Sequence, residues 1–204
     1  MLTIKNKIED NYFLPEDGKL AKIRFLETLS IPEETYISCY AFTLPEAYAK
    51  IAEIDALGFK QSLLLDYSQG NGLSSKPKIK ELISNSKNIT IVLTAAGPNS
   101  DRPKSALWHT KGLVKISSDK RKAPLCMDGS TNMSISGFNQ GNIMRFFRNK
   151  AWADTFVNQH ILIRDWALKN LPHYQPSILA DNEDSVDYFF NNLKQSTDGY
   201  EFLI

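Results

Sequence analysis

Apolar positions along this chain switch repeatedly between a spacing of three to four and solid or alternating runs, so helical and strand-like stretches follow one another. From Lys19 to Leu29 they fall at Leu20, Ile23, Leu26 and Leu29, one stripe of a helix. Tyr36 to Phe42 reads as a strand. Pro45 to Leu57 opens on a proline and stops at Gly58, which predicts a helix. Its first turn needs no amide hydrogen, and glycine tolerates the turn that ends it. Gln61 to Asp66, with its run of leucines, has the composition of a strand covered on both faces. A loop from Ser68 to Ser75 follows, then a short helix from Lys78 to Ile83 and a third strand from Ile89 to Leu93. Thr94 to Ser105, with prolines and a glycine, is a loop leading into a strand that bears His109. Asp119-Lys-Arg-Lys122 makes a charged turn, and Ala123 to Met127 returns as the partner strand. The alternation argues for an α/β domain.

The 204 residues suffice for one domain with a substantial core and are few for two. Hydrophobic content of 42% and charged content of 23% are those of an ordinary globular protein. A net charge of +1 supplies no overall field for a polyanion, so any nucleic-acid surface has to be local. Basic residues do cluster, at Lys76, Lys78 and Lys80, at Arg102 and Lys104, at Lys120 to Lys122, and at Arg145, Arg148 and Lys150. Gathered on one side, they would form a track for a phosphate backbone. The segment MLTIKNKIEDNYF carries charges where a signal peptide is apolar, and no run reaches the ~18 apolar residues of a membrane span. A cytoplasmic protein with no membrane partner is the expectation. Cys39 and Cys126 lie in apolar runs without a CxxC or Cys/His cluster, and read as buried thiols. No metal and no other cofactor is expected.

Two short segments carry candidate chemistry: Trp108-His109-Thr-Lys111, and Gly129-Ser130-Thr131-Asn132 at the end of the returning strand. Histidine can attack phosphorus, lysine can place a charge over the phosphate, and serine and asparagine can hold its oxygens. On a strand, residues two apart share a face, which would align His109 with Lys111 and Ser130 with Asn132. Lys115 would continue the first face as a solvated lysine, and Trp108 could stack on a base. Adjacent strand ends in an open α/β sheet form the crevice where ligands bind. His160, in the amphipathic run with Trp152, Phe156, Ile163 and Trp166, and His173, in a proline-flanked loop, read as structural.

The pair of segments resembles the HxK…GSxN signature of the phospholipase D superfamily. Glu34 to Thr43 resembles that family's first core strand and Gly58 to Asp66 its second. Asn142 to Phe147 and Trp152 through Trp166 resemble its closing strand and long terminal helix. The likeness covers about residues 12 to 168, one catalytic half. It implies a single phospholipase D-like domain over residues 1–170, a mixed central sheet flanked by helices. Residues 171–204, with a helix expected from Ser185 to Gln195, form a C-terminal extension packed on it.

The resemblance further implies a metal-independent phosphodiester hydrolase, here a nuclease cutting DNA or RNA through a phosphohistidine. His109, Lys111, Ser130 and Asn132 would be catalytic, with Trp108, Gly129 and Lys115 on the substrate. The family mechanism uses two histidines, and one HxK per chain therefore implies a homodimer. A lipid phosphodiesterase or a catalytically weak nucleic-acid-binding protein are the alternatives. Two positions depart from the pattern: Ile116 stands where the family has an Asp after the Lys, and Gly141 where many members have an acid after GSxN. An acid that would orient His109 is therefore unaccounted for.

Overall fold

A computed structural model of the chain describes residues 7–69, 86–104 and 106–171. The predicted helix at Lys78–Ile83, most of the loop before it, His173 and the helix expected at Ser185–Gln195 lie outside the described residues. The elements in chain order are β1 (Lys7–Phe13), α1 (Gly18–Leu29), β2 (Glu34–Cys39), α2 (Pro45–Ala56), β3 (Gln61–Asp66), β4 (Ile89–Thr94), β5 (Lys111–Ile116), β6 (Leu125–Gly129), β7 (Ile143–Arg148) and α3 (Lys150–Asn170). Among the described residues the strands form one sheet in the order β1-β7-β6-β5-β2-β3-β4. β2, β3 and β4 are parallel, while β5, β6, β7 and β1 are joined antiparallel, so the sheet is mixed.

Residue chemistry explains these elements. Pro45 opens α2, and Gly58 beyond its end has φ +87°, a left-handed angle that costs glycine nothing. α3 begins at Asn149, whose side-chain oxygen accepts the Trp152 amide at 3.0 Å and satisfies one free donor of the first turn. β3 is buried along its whole length, as its leucine run requires. β1 has no legible apolar alternation, because it is an edge strand whose Asp10 turns to Arg24 of α1, at 2.8 Å. The main core joins Ala21, Phe25 and Leu29 of α1, Ala47, Tyr48 and Ile51 of α2, the strand leucines, and Ile163 and Ala167 of α3. A second cluster packs Val114, Cys126, Phe147 and Ala153 together on the α3 side. There α3 comes so close to β5 that a Cβ on Gly112 would meet the Phe156 ring at 2.5 Å. Both cysteines are free and buried. No helix among the described residues is long and apolar enough to cross a membrane.

Lys115 is not a solvated lysine. It is fully buried, its ammonium 2.8 Å from Thr35 Oγ1 and 3.3 Å from the Leu29 carbonyl at the end of α1, and burial pushes its pKa down to about 8. Strand alternation did put it on the face of Lys111. That face is roofed by α1, however, and Lys115 lies toward the far end of β5, so it is no substrate contact.

His160 is structural. Its ring sits between two serines, Nδ1 3.0 Å from Ser38 Oγ and Nε2 2.9 Å from Ser62 Oγ, and Tyr36 meets it edge-on. A neutral imidazole serves both hydroxyls, donating from one nitrogen and accepting at the other. Burial above all, with Arg164 nearby, holds its pKa down at about 3. The unfolded chain binds a proton near the ordinary 6.5 and the folded chain does not. The contribution is thus complete above pH 6.5 and is lost as pH falls toward 3, by roughly 1.4 kcal/mol per pH unit. Denaturant unfolding between pH 7 and pH 4 should show wild type losing stability more steeply than His160→Gln, which starts lower. Parallel slopes for the two proteins would assign the acid sensitivity to other groups.

Candidate active site at one end of the sheet

The strand directions gather the two motif segments. β5 runs against β2 and against β6, so the N-terminal end of β5 lies beside the C-terminal ends of β2, β3 and β6. Gly112 is opposite Asp128, and outward from that pair lie Lys111 and His109 on one chain segment and Gly129 to Asn132 on the other. The segment after β2 ties them together. The Tyr40 amide donates to the Thr110 carbonyl, and the Met133 amide to the Ala41 carbonyl, both at 2.9 Å.

His109 precedes β5 rather than lying within it, and it is exposed. Its ring rests on Tyr40, centroids 5.1 Å apart. Lys111 heads the strand and is only 7% exposed. Its ammonium donates to the His109 carbonyl at 3.0 Å and stands 5.4 Å over the Tyr40 ring. Burial lowers the Lys111 pKa, against the opposing pull of Cys39 and Asp66. Tyr40 thus lies beneath both groups.

Gly129 ends β6 at φ +151°, and a Cβ there would lie 2.0 Å from the Ile143 carbonyl oxygen, so only glycine lets β6 and β7 close up at this point. Ser130 is exposed. Its hydroxyl oxygen accepts the Ile143 amide at 3.0 Å, which leaves the hydroxyl proton free to be donated. Thr131 points inward and is buried. Asn132 is half-buried, and its Oδ1 is shut from solvent with no hydrogen-bond partner.

Trp108 is half-buried. Its indole packs against the main core, and its Nε1 is buried without a partner. What Trp108 offers the site is its backbone amide, which donates to Asp66 Oδ2 at 2.5 Å. Asp66, at the end of β3, is fully buried. Its other oxygen accepts the Ser68 amide at 3.0 Å and the Ser68 hydroxyl at 2.5 Å. Burial raises the Asp66 pKa, while these bonds and the charge of His109 pull it back. Asp66 and Tyr40 are the site residues that motif reading passed over. The one visible signal was the Asp closing the leucine strand.

The other acids near the motifs are engaged elsewhere. Asp128 grips Arg145 through two bonds of 2.7 and 2.6 Å, and Asp119 pairs with Arg121 at 2.9 Å in the hairpin turn at the opposite end of β5. Ile116 ends β5, packed against the α3-side cluster, and Gly141 is exposed with open space around its Cα. Among the described residues the basic clusters do not all lie at the motif end of the sheet. Lys120 to Lys122 lie in that far turn, Lys150 pairs with Asp154 at 2.7 Å, and Lys76, Lys78 and Lys80 are outside the described residues. Among the described residues no three His, Cys, Asp or Glu side chains gather where they could hold a metal ion.

This mixed sheet, with its parallel strands ending beside the antiparallel hairpin that carries the motifs, is the phospholipase D-like fold. NucT from Helicobacter pylori superposes with a TM-score of 0.64 at 17% identity, over 79% of this chain and 96% of that one. Nuc from Salmonella typhimurium, a phospholipase D family member, gives 0.61 at 14% identity over the same shares. TrmBL2, an archaeal chromatin protein with a novel mode of DNA binding, gives 0.50 at 12% identity over 78% of this chain and 53% of that one. By sequence alone, no family model and no curated protein matches the chain.

Proposed function

We propose that the chain is a metal-independent phosphodiesterase that cleaves nucleic acid through a covalent intermediate on His109, at a site completed by a second copy of the chain. One observation carries this reading: the HxK and GSxN segments, on the two arms of the β5–β6 hairpin, lie side by side at one end of the sheet. His109 attacks phosphorus, the bond from phosphorus to the leaving oxygen breaks, and that oxygen takes a proton from His109 of the second copy. Water, giving its proton back to that second histidine, then displaces the first and releases the phosphate. Lys111 supplies positive charge beside the phosphoryl oxygens, and Ser130 and Asn132 supply neutral donors. The DNA-binding fold neighbour favours nucleic acid over lipid as the substrate.

Turnover of DNA, RNA and phospholipid in EDTA tests the reading. Nucleic acid should be cut with the chelator present. Strict dependence on an added divalent ion, or turnover of phospholipid alone, would refute it. Lys111→Ala and Asn132→Ala should each lower kcat roughly a hundred- to a thousandfold with little change in KM, because their contacts strengthen as charge builds on the phosphate. A rise in KM with kcat intact would make them ground-state contacts only.

A further inference from the structure

We propose that Asp66 is the positioning acid of this site: from the end of β3 it holds the His109 segment through the Trp108 amide and sets a negative charge behind the histidine and Lys111. The inference rests on the phosphodiesterase reading and answers the question that Ile116 and Gly141 raise, namely which acid supports His109.

The geometry is specific. Asp66 is fully buried at the sheet end where the motifs meet, yet no described cation forms an ion pair with it. A buried carboxylate without an ionic partner is costly, and chains keep one where its charge or its bonds are needed. Its bonds divide between two jobs. One oxygen closes the turn after β3 by accepting from Ser68. The other reaches the amide immediately before His109 at 2.5 Å, a charge-assisted bond between segments 42 residues apart in sequence. Motion of the His109 backbone therefore strains a short bond to a buried, rigid strand. The other acids near the motifs are occupied by Arg145 and Arg121.

The charge acts on both motif cations. Asp66 interacts with His109 and with Lys111, while the other groups facing them are Cys39 on β2 and the Tyr40 ring. A carboxylate attracts the positive charge of an imidazolium. That is the form required of the histidine that protonates the leaving oxygen, and the positive charge is also what builds on the attacking one. Asp66 touches neither substrate nor reacting atom in this arrangement, so its effect passes through position and field.

The tests separate this proposal from the reading beneath it. Asp66→Asn keeps the shape and removes the charge. It should lower kcat roughly ten- to a hundredfold with KM nearly unchanged. The Asp66 carboxyl, followed by NMR and identified by its absence in Asp66→Asn, should titrate higher in His109→Gln than in wild type. This second readout needs no activity, so an inactive wild type would refute the phosphodiesterase reading and leave Asp66 still on trial. Should Asp66→Asn fail to fold, that titration decides, because His109 is exposed and His109→Gln should fold. A folded Asp66→Asn with wild-type kcat would overturn the proposal. So would an Asp66 carboxyl indifferent to His109→Gln.

Discussion

His109→Ala should abolish phosphodiester cleavage, a loss of several orders of magnitude, while the protein stays folded. The two halves of that expectation have separate grounds. The rate falls because the covalent route disappears with its nucleophile, and what survives is the contribution of binding and of the remaining donors. The fold survives because the His109 ring is exposed and rests on Tyr40, outside both core clusters. Circular dichroism should be unchanged, and binding of an uncleaved oligonucleotide should weaken far less than turnover. Residual activity near wild type would end the nucleophile assignment. Loss of activity together with loss of fold would show instead that His109 is structural.

The second large effect is expected in mixtures of subunits. The chain holds one HxK, and the other described histidine is unfit to supply the second: His160 is buried between Ser38 and Ser62 with its pKa near 3. A second copy is then the natural source of the leaving-group proton. A heterodimer of one wild-type and one His109→Ala chain keeps either the nucleophile or the acid, not both, and should be close to inactive. After subunit exchange, activity should fall as the square of the wild-type fraction. The solution mass should be near twice 23.1 kDa. A linear fall in activity, or an active monomer by light scattering, would show that each chain builds a complete site. His173, outside the described residues, would then be the histidine to mutate.

Much of the architecture was legible in the residues themselves, because it follows from local rules. Pro45 and Gly58 bracket α2 within a residue of its observed end, and the leucine run of β3 announces a strand buried on both faces. The HxK and GSxN segments could be paired through their resemblance to the phospholipase D superfamily signature, whose residue types phosphodiester chemistry explains. β1 was not legible, since an edge strand with charged positions has no apolar period to show. Three further matters depended on what packs against what. Period two correctly puts Lys111 and Lys115 on one face. Only the docking of α1 over that face buries Lys115 at the Leu29 carbonyl while Lys111 reaches the site. Trp108 next to His109 suggests an aromatic at the substrate, and only the tertiary structure shows its indole packed against the main core and its amide bonded to Asp66. Asp66 meets that amide across 42 residues of sequence, because β3 ends where β5 begins. Residue types and periods determine which elements form and which groups could react. Partners distant in sequence are chosen by sheet order and helix docking, which no local window contains.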